Sequence, residues 1–480
     1  MTPKRQWSSW APASWLAALF AVLPAPLHAA ASRAATPPAP GVEAWLAGDA
    51  AGAATELQAR ADRVGSLNRA VALLYAGETL AAEHELLALR GREPQWVPAL
   101  RWLARARART GDPALDATIQ ALLAHDGADS RDFLWAGQLQ LEAGQADRAA
   151  GSLREAVARE PDLYLGWLWL GDAEAARGRD RDAREAWLRA RALHAGGDLL
   201  FRLGESSLRA GRREEGRSLF EEALATPEGR QREEAIRRLM PDLPAVPPAL
   251  PVAPPLNPGE RLRYSARYLF FRFATLEMEN QGFTEFRGSR VARIVFTVRS
   301  NPGFPFLSID SRFESLVAED GSVLAHRSVS RDSTQADRAA VYEMDRESNE
   351  CVVRQVVEGL FGFDRLPVPP LDQDGLSILQ LARGLALRPS DVSVLTAVDS
   401  TWKGTRLRTV GSERIRWAGH EVETVQVEAV GRYKGPAGLS GLVRTWISPD
   451  ARALPYRAAV KLGLGSIVLE LRPDAGGPED

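Results

Sequence analysis

The sequence predicts a chain of two parts, a helical repeat solenoid followed by a curved antiparallel β-sheet or open barrel that carries one helix. Apolar residues recur with helical spacing over residues 41–240. Prolines then crowd residues 241–258, where neither a helix nor a central strand is sustained. After them, apolar and polar residues alternate with a period of two, which is typical of strands. We therefore expect a helical repeat domain at 41–240, a proline-rich linker at 241–258 and a β-rich domain at 259–473.

Residues 1–31 have the pattern of an export signal. Lys4 and Arg5 precede an apolar stretch at residues 15–23, and the small residues Ala29–Ala31 suit cleavage by signal peptidase. The apolar stretch is shorter than the ~20 residues of a membrane-spanning helix, although an anchor that stays attached is the alternative. We expect an exported, periplasmic bacterial protein with no stable membrane span after signal cleavage.

Composition excludes several classes of protein. Among 480 residues, 60 are Lys or Arg and 62 are Asp or Glu, so the net charge is -2. Both halves mix the two signs, and we expect no nucleic-acid partner for either of them. The single cysteine, Cys351, excludes an intrachain disulfide and a zinc finger, and its alternating context predicts a buried thiol in a strand.

The helical part contains internal repeats. Phe133, Gly137, Ala149 and Leu153 are followed at a spacing of 34 residues by equivalents that include Gly171. The small residues of the three clearest units predict close approach of paired helices, and the large residues fill the space beside them. These small and large residues are Gly137 and Leu153, Gly171 and Trp187, and Gly204 and Phe220. Four or five stacked helix pairs are expected over about 200 residues.

This period and alternation resemble the tetratricopeptide repeat. In that family the concave face of the stack commonly binds a partner peptide, so the resemblance implies a protein partner. Any one of the implied groove residues has an alternative role, either in packing between repeats or on a solvated face. The groove residues that the resemblance implies are Arg131, Leu134, Gln138, Glu142, Leu168, Asp172, Phe201, Glu205 and Arg209.

The strand-rich part contains one predicted helix among several short strands. Leu262 and Tyr264 share one face of a strand with the residues two positions further on. The helix is expected to open at Asp372 and to continue through Leu379 and Arg383. This composition predicts a large curved sheet around or beside that helix.

Three segments of this part resemble domain-of-unknown-function family 3108, an exported bacterial family. Pro258–Tyr264 is similar to the start of that family, Asp374–Gln380 with Arg383 to its internal helix, and Trp446–Asp450 to its C-terminal hairpins. The resemblance covers about 215 residues and implies a β-rich exported domain. It implies no activity.

No pattern of catalytic or cofactor-binding residues emerges from the sequence. The six histidines show no metal-binding spacing, and Gly463-Leu464-Gly465 lacks the third glycine of a dinucleotide loop. We therefore expect a non-enzymatic protein without a cofactor or metal. A hydrolase acting on an envelope polymer is an alternative that an Arg/Asp/Glu cluster in a deep pocket would favour.

Two further ligand classes stay open for the β-rich part. By fold class it is similar to periplasmic lipoprotein carriers, so its apolar strand faces (Tyr264, Tyr268, Phe296, Ile467 and Leu469) are expected to line either a lipid cavity or a core. Arginines on strand faces would suit an anionic lipid or envelope polysaccharide, unless they form a solvated face. They are Arg261, Arg263, Arg267, Arg293, Arg299, Arg406 and Arg408.

Overall fold

The computed structural model describes residues 39–246, 254–268, 271–301, 309–332, 335–345, 350–367, 372–373, 377–398, 401–434, 440–461 and 466–473. The predicted signal at residues 1–31 lies outside these ranges, as do residues 247–253 of the predicted linker. None of the helices within the ranges combines the length and the apolar character that crossing a membrane requires.

Helices fill the described chain before residue 240. Their bounds are α1 Val42–Ala47, α2 Ala50–Glu56, α3 Arg63–Tyr75, α4 Thr79–Arg92, α5 Val97–Thr110, α6 Leu115–Leu123, α7 Ser130–Glu142, α8 Ala146–Arg159, α9 Tyr164–Ala176, α10 Asp180–Leu193, α11 Gly197–Arg209, α12 Arg213–Ala225, α13 Pro227–Gln231 and α14 Glu233–Leu239. Helices α3 to α12 form five successive pairs, and each pair packs on the next, as the repeat pattern predicts.

The predicted contacts between small and large residues form within the pairs. A β-carbon added at Gly171 of α9 would overlap the indole ring of Trp187 on α10. The same overlap occurs in the neighbouring pairs, so each glycine makes room for a large side chain of its partner helix. The residues in these contacts are Gly137 with Leu153, Gly171 with Trp187, and Gly204 with Phe220.

The C-terminal part forms one open sheet, which confirms the predicted fold class. Its strands are β1 Arg261–Tyr268, β2 Phe271–Phe286, β3 Ser289–Ser300, β4 Ile309–Ala318, β5 Val323–Asp332, β6 Gln335–Asp345, β7 Glu350–Val357, β8 Leu360–Pro367, β9 Asp372–Gln373, β10 Asp391–Val398, β11 Thr401–Trp417, β12 His420–Lys434, β13 Ser440–Ile447, β14 Pro455–Lys461 and β15 Ser466–Leu471. They follow the order β8-β7-β6-β5-β4-β3-β2-β1-β15-β14-β13-β12-β11-β10-β9. Neighbours are antiparallel except for the short β9, which pairs with β10 in parallel.

The single helix of this part, α15, runs from Ile378 to Leu387. It begins later than predicted, because Asp372 and Gln373 pair with β10 as a strand and cannot also start a helix. The buried face of α15 packs against strands β10 to β13. On another side, Leu379 packs against the buried cluster that contains Tyr264 and Phe296. In the described residues, Tyr264, Phe296 and Leu469 therefore pack in a core with α15, whereas Tyr268 and Ile467 are half-buried outside that cluster.

Register explains the arginines of the exposed strand faces. Six of the seven that the sequence singled out form ion pairs with acidic side chains. In four pairs the acidic residue lies directly opposite its arginine on the adjacent strand, and in Arg293–Glu314 and Arg406–Asp391 it lies diagonally, two residues along that strand. Both arrangements bring cross-strand charges within reach of each other. Each of these six arginines therefore has an acidic partner, and the strand faces that carry them mix both signs of charge. The pairs are Arg261–Glu279, Arg263–Glu277, Arg293–Glu314, Arg299–Asp310, Arg406–Asp391 and Arg408–Glu428.

The helix pairs supply a first testable prediction, which compares two glycines inside neighbouring helices. Gly171→Ala places a methyl group against Trp187, and we expect it to lower the free energy of unfolding by about 1–3 kcal/mol through overpacking. Gly151→Ala of α8 is the matched control, because it has open space around it and gains helix propensity of about 0.5–1 kcal/mol. Chemical denaturation of both variants measures the difference, and equal effects would contradict the packing described.

Candidate functional site

The first helices of the five pairs share a face that we call the groove. It is formed by the second, fifth, ninth and thirteenth residues of α3, α5, α7, α9 and α11. In α7 these are the predicted Arg131, Leu134, Gln138 and Glu142. The equivalent residues are Val64, Leu67, Val71 and Tyr75 in α3, Pro98, Arg101, Arg105 and Arg109 in α5, Leu165, Leu168, Asp172 and Ala176 in α9, and Asp198, Phe201, Glu205 and Arg209 in α11.

Strand β8, at one edge of the sheet, lies in the groove at α3 and α5. The side-chain amide of Asn68 donates a hydrogen bond to the carbonyl oxygen of Gly359 at 2.7 Å and accepts one from the backbone N–H of Phe361 at 2.9 Å. Arg105 donates to the carbonyl oxygen of Phe363 at 3.5 Å. Alternate residues of a strand point their backbone N–H and C=O groups to the same side. These bonds therefore satisfy backbone groups on the outer edge of β8, the edge that faces away from β7.

Aromatic rings hold the side chains of the same strand. The rings of Phe361 and Trp45 stack with centroids 5.0 Å apart and an interplanar angle of 9°. The ring of Phe363 stacks on Tyr75, the thirteenth residue of α3, at 3.7 Å. Trp45 also donates from Nε1 to the carbonyl oxygen of Gln355 on β7 at 3.2 Å. Stacked pairs of this kind each contribute about 0.5–1.5 kcal/mol beyond their buried area.

An ion pair follows the two aromatic residues along β8. Arg105 Nη2 lies 3.0 Å from Asp364 Oδ1, and its guanidinium lies 4.8 Å from the centre of the Trp102 ring. Next to this pair, a cavity of about 270 Å³ separates β8 from α5 and α7. Its wall carries both signs of charge, including Arg101, Arg131 and Asp129. The groove thus continues past β8 into an open, polar space.

A second contact joins α9 and α10 to β11. Lys403 is buried and forms ion pairs with Glu160 and, at 3.1 Å, with Asp162. Burial opposes ionisation of Glu160, but hydrogen bonds from Lys403 and Ser130 outweigh burial, so the pKa of Glu160 lies below its usual value. This lysine is an ion-paired group at the junction between helices and sheet.

His194, the residue that ends α10, is buried at the same junction. Its ring meets Tyr164 edge-on with centroids 5.5 Å apart, and Nδ1 lies 3.4 Å from Ser393 Oγ on β10. Burial lowers the pKa of the His194 ring to about 4. The ring is therefore neutral near pH 7, in keeping with its apolar surroundings.

The predicted groove residues fall into two groups. Leu134 and Leu168 are buried in a cluster that also contains sheet residues, and Asp172 accepts hydrogen bonds from Arg202 and Trp187. The others reach solvent wholly or in part; Gln138 donates to Glu142 at 3.0 Å, and Phe201 lies under the guanidinium of Arg232. The residues of this accessible group are Arg131, Gln138, Glu142, Phe201, Glu205 and Arg209.

The interior of the sheet holds an ion pair that sequence reasoning missed. Arg383 of α15 is fully buried and donates to both carboxylate oxygens of Glu260, at 2.6 and 2.8 Å. Its remaining donors reach Gln380 and the carbonyl oxygens of Arg452 and Ala453. All five N–H donors of the guanidinium therefore have partners. Glu260 and Arg383 belong to two of the segments that resemble family 3108. That shared resemblance was the sequence signal that could have linked them.

Within the described ranges, no group of three or more His, Cys, Asp or Glu side chains is placed to hold a metal ion. Cys351 is buried in β7, as its alternating context predicted.

Comparison with known proteins identifies the strand-rich part. The family described as "Protein of unknown function (DUF3108)" matches residues 263–472. The strand-rich part of this chain is therefore similar to DUF3108. The match begins at the third residue of β1 and ends just after β15, so the matched region includes α15 and the other described strands.

The helical part resembles tetratricopeptide repeat solenoids. The TPR repeat-containing protein PA0015 of Pseudomonas aeruginosa is 43% identical over 51 residues, which are 11% of this chain and 49% of that protein. The chain thus spans about half the length of this curated relative.

Two solved structures are also similar. MamA from residue 41 to its end, of Desulfovibrio magneticus RS-1, is 20% identical with a TM-score of 0.32 and matches 35% of this chain and 96% of its own. YrrB, described as a TPR protein with an unusual peptide-binding site, is 13% identical with a TM-score of 0.34 and matches 38% of this chain and 93% of its own.

The buried ion pair between Arg383 and Glu260 gives a second prediction. Arg383→Met leaves the carboxylate of Glu260 and two carbonyl oxygens without their donors, and we expect a loss of about 3–5 kcal/mol in the free energy of unfolding. Arg263→Met is the matched control, because Arg263 pairs with Glu277 on an exposed strand face and should matter much less. Denaturant titration measures both, and a control loss as large as that of Arg383→Met would refute the assignment.

His194 gives a third prediction, on the pH dependence of stability. Between pH 6.5 and 4 the unfolded chain protonates this ring and the folded chain does not, so the free energy of unfolding should decrease as pH falls through that window. The contribution is at most about 1.4 kcal/mol per pH unit. His194→Gln should remove it, whereas His84→Gln on the exposed surface of α4 should not. Unfolding measured at several pH values tests this, and an unchanged slope in His194→Gln would contradict it.

Proposed function

We propose that this protein is an exported, non-enzymatic binding protein of the bacterial periplasm, and that it engages a protein partner through the groove on α7, α9 and α11. This proposal rests on the observation that the equivalent positions of earlier helices already bind part of this chain. On α3 and α5 they hold an extended strand through a hydrogen bond to its edge, ring stacking and an ion pair. On α7 and α11 the same positions, apart from the buried Leu134, are still accessible to solvent.

The chemistry of this accessible stretch favours a segment of mixed polarity. The thirteenth positions of α7 and α11 are exposed and opposite in charge, Glu142 and Arg209. Between them lie the half-buried Gln138 and Glu205, and Phe201 offers part of an apolar ring. A segment with both charges and one apolar side chain would complement this surface.

Two further observations support a binding role. The buried titratable groups at the junction, Lys403 and His194, already contact neighbouring side chains within the chain. Within the sheet, Arg383 has all its donors engaged. These groups therefore stabilise the fold. The proposed envelope location agrees with the sequence pattern of residues 1–31.

The fourth prediction places a photo-crosslinking amino acid in the groove and on the opposite helices. At Glu142 and at Arg209 we expect the same protein adduct in intact cells, recovered from the periplasmic fraction, because both positions face the partner. Glu185 and Arg189, exposed on α10, are the matched carboxylate and guanidinium controls. Adduct mass after denaturing electrophoresis is the readout. The proposal fails if the groove positions give no shared adduct or if the control positions give the same one.

A further inference from the structure

We propose that the groove at α3 and α5, together with Trp45 of α1, is a recognition site for an extended segment of the pattern aromatic–x–aromatic–acidic. In this proposal β8 occupies the site in cis, and a protein partner carrying the pattern takes the place of β8. The surface differs from the stretch on α7 to α11 to which the proposed function refers. Its occupant has known chemistry because part of this chain is bound there.

Each side chain of the pattern has its own receptor. Trp45 stacks on the first aromatic ring and Tyr75 on the second. Arg105 pairs with the acidic residue that follows. The intervening residue is a glycine, and a β-carbon at that position would approach the side chain of Gln355 on β7, so only a small residue fits there while β7 is adjacent. The pattern in this chain is Phe361-Gly362-Phe363-Asp364.

Recognition of the backbone does not depend on the sequence of the segment. Asn68 bonds one carbonyl oxygen and one N–H of the strand edge, and Arg105 bonds the next carbonyl oxygen on that side. Any extended segment presents the same groups at the same spacing, which is how an added strand binds to an edge. A partner segment with two aromatic residues at i and i+2 and an acidic residue at i+3 therefore satisfies every contact that β8 makes with these four side chains.

The position of β8 permits exchange. It is an edge strand, so it is paired to the sheet by β7 alone. The cavity of about 270 Å³ between β8 and helices α5 and α7 lies beside the acidic end of the pattern. A partner enters at this open side and displaces the strand from there. Because the cis occupant is tethered, it competes at a high effective concentration and weakens partner binding in the resting protein.

The fifth prediction uses a fluorescein-labelled peptide of residues 358–366 and the full chain. The resting protein should bind this peptide weakly. Phe361→Ala with Phe363→Ala in the chain removes both rings of the cis occupant, and we expect at least tenfold tighter binding of the peptide by fluorescence anisotropy. Adding Asn68→Ala and Arg105→Ala should reverse that gain by at least tenfold. Arg148→Ala on the exposed surface of α8 is the control for a lost arginine, and adding it should not weaken peptide binding.

Amide hydrogen exchange distinguishes displacement of β8 by the peptide from binding of the peptide elsewhere on the protein. Saturating the unsubstituted protein with the peptide should speed exchange at the amide of Phe361, because β8 has left Asn68. This second measurement needs no substitution and holds even where the phenylalanine variant fails to fold. Binding that leaves this amide protected, binding indifferent to Asn68 and Arg105, or no binding to either protein would overturn the proposal.

Discussion

The capping of a free strand edge by a helical side chain is the interaction on which the architecture depends. An open sheet of this size leaves β8 with one row of unpaired backbone groups, and each such group left buried without a partner costs about 1–3 kcal/mol. Asn68 supplies a donor and an acceptor together, while Trp45 and Tyr75 cover the adjoining rings. The solenoid therefore completes the sheet, and the edge is closed to pairing with other chains.

The same groove is used in two ways along its length. Near its N-terminal end it binds part of its own chain with apolar stacking, where a large desolvated contact gives strength. Toward α11 it presents charged and amide groups to solvent, where contacts select a partner more than they add affinity. Lys403 and His194 mark the transition, because Lys403 joins β11 to the loop between α8 and α9, and His194 joins the end of α10 to β10.

The elements of both halves could be predicted from local patterns, and the contact between the halves could not. The repeat spacing predicted the fit of Gly171 against Trp187, and alternation predicted the strands. Asn68 and Gly359 lie 291 residues apart, and no local period reports such a contact. The ion pairs of the strand arginines could not be predicted either, because they depend on the register between neighbouring strands. The start of α15 was misplaced, since Asp372, an acidic residue of the kind that favours a helix N-terminus, pairs with β10 instead.

The separation between Asn68 and Gly359 has a consequence for how the molecule reaches this state. Asn68 leaves the ribosome, and any export channel, 291 residues before the turn that it binds. Until then, the faces of Trp45 and Tyr75 on which the rings of β8 stack have no such contact. Closing so long a loop is slow compared with forming local helix pairs. The nascent chain thus passes through an interval in which its repeats are folded and adhesive, and helper proteins that shield aromatic surfaces would act during that interval.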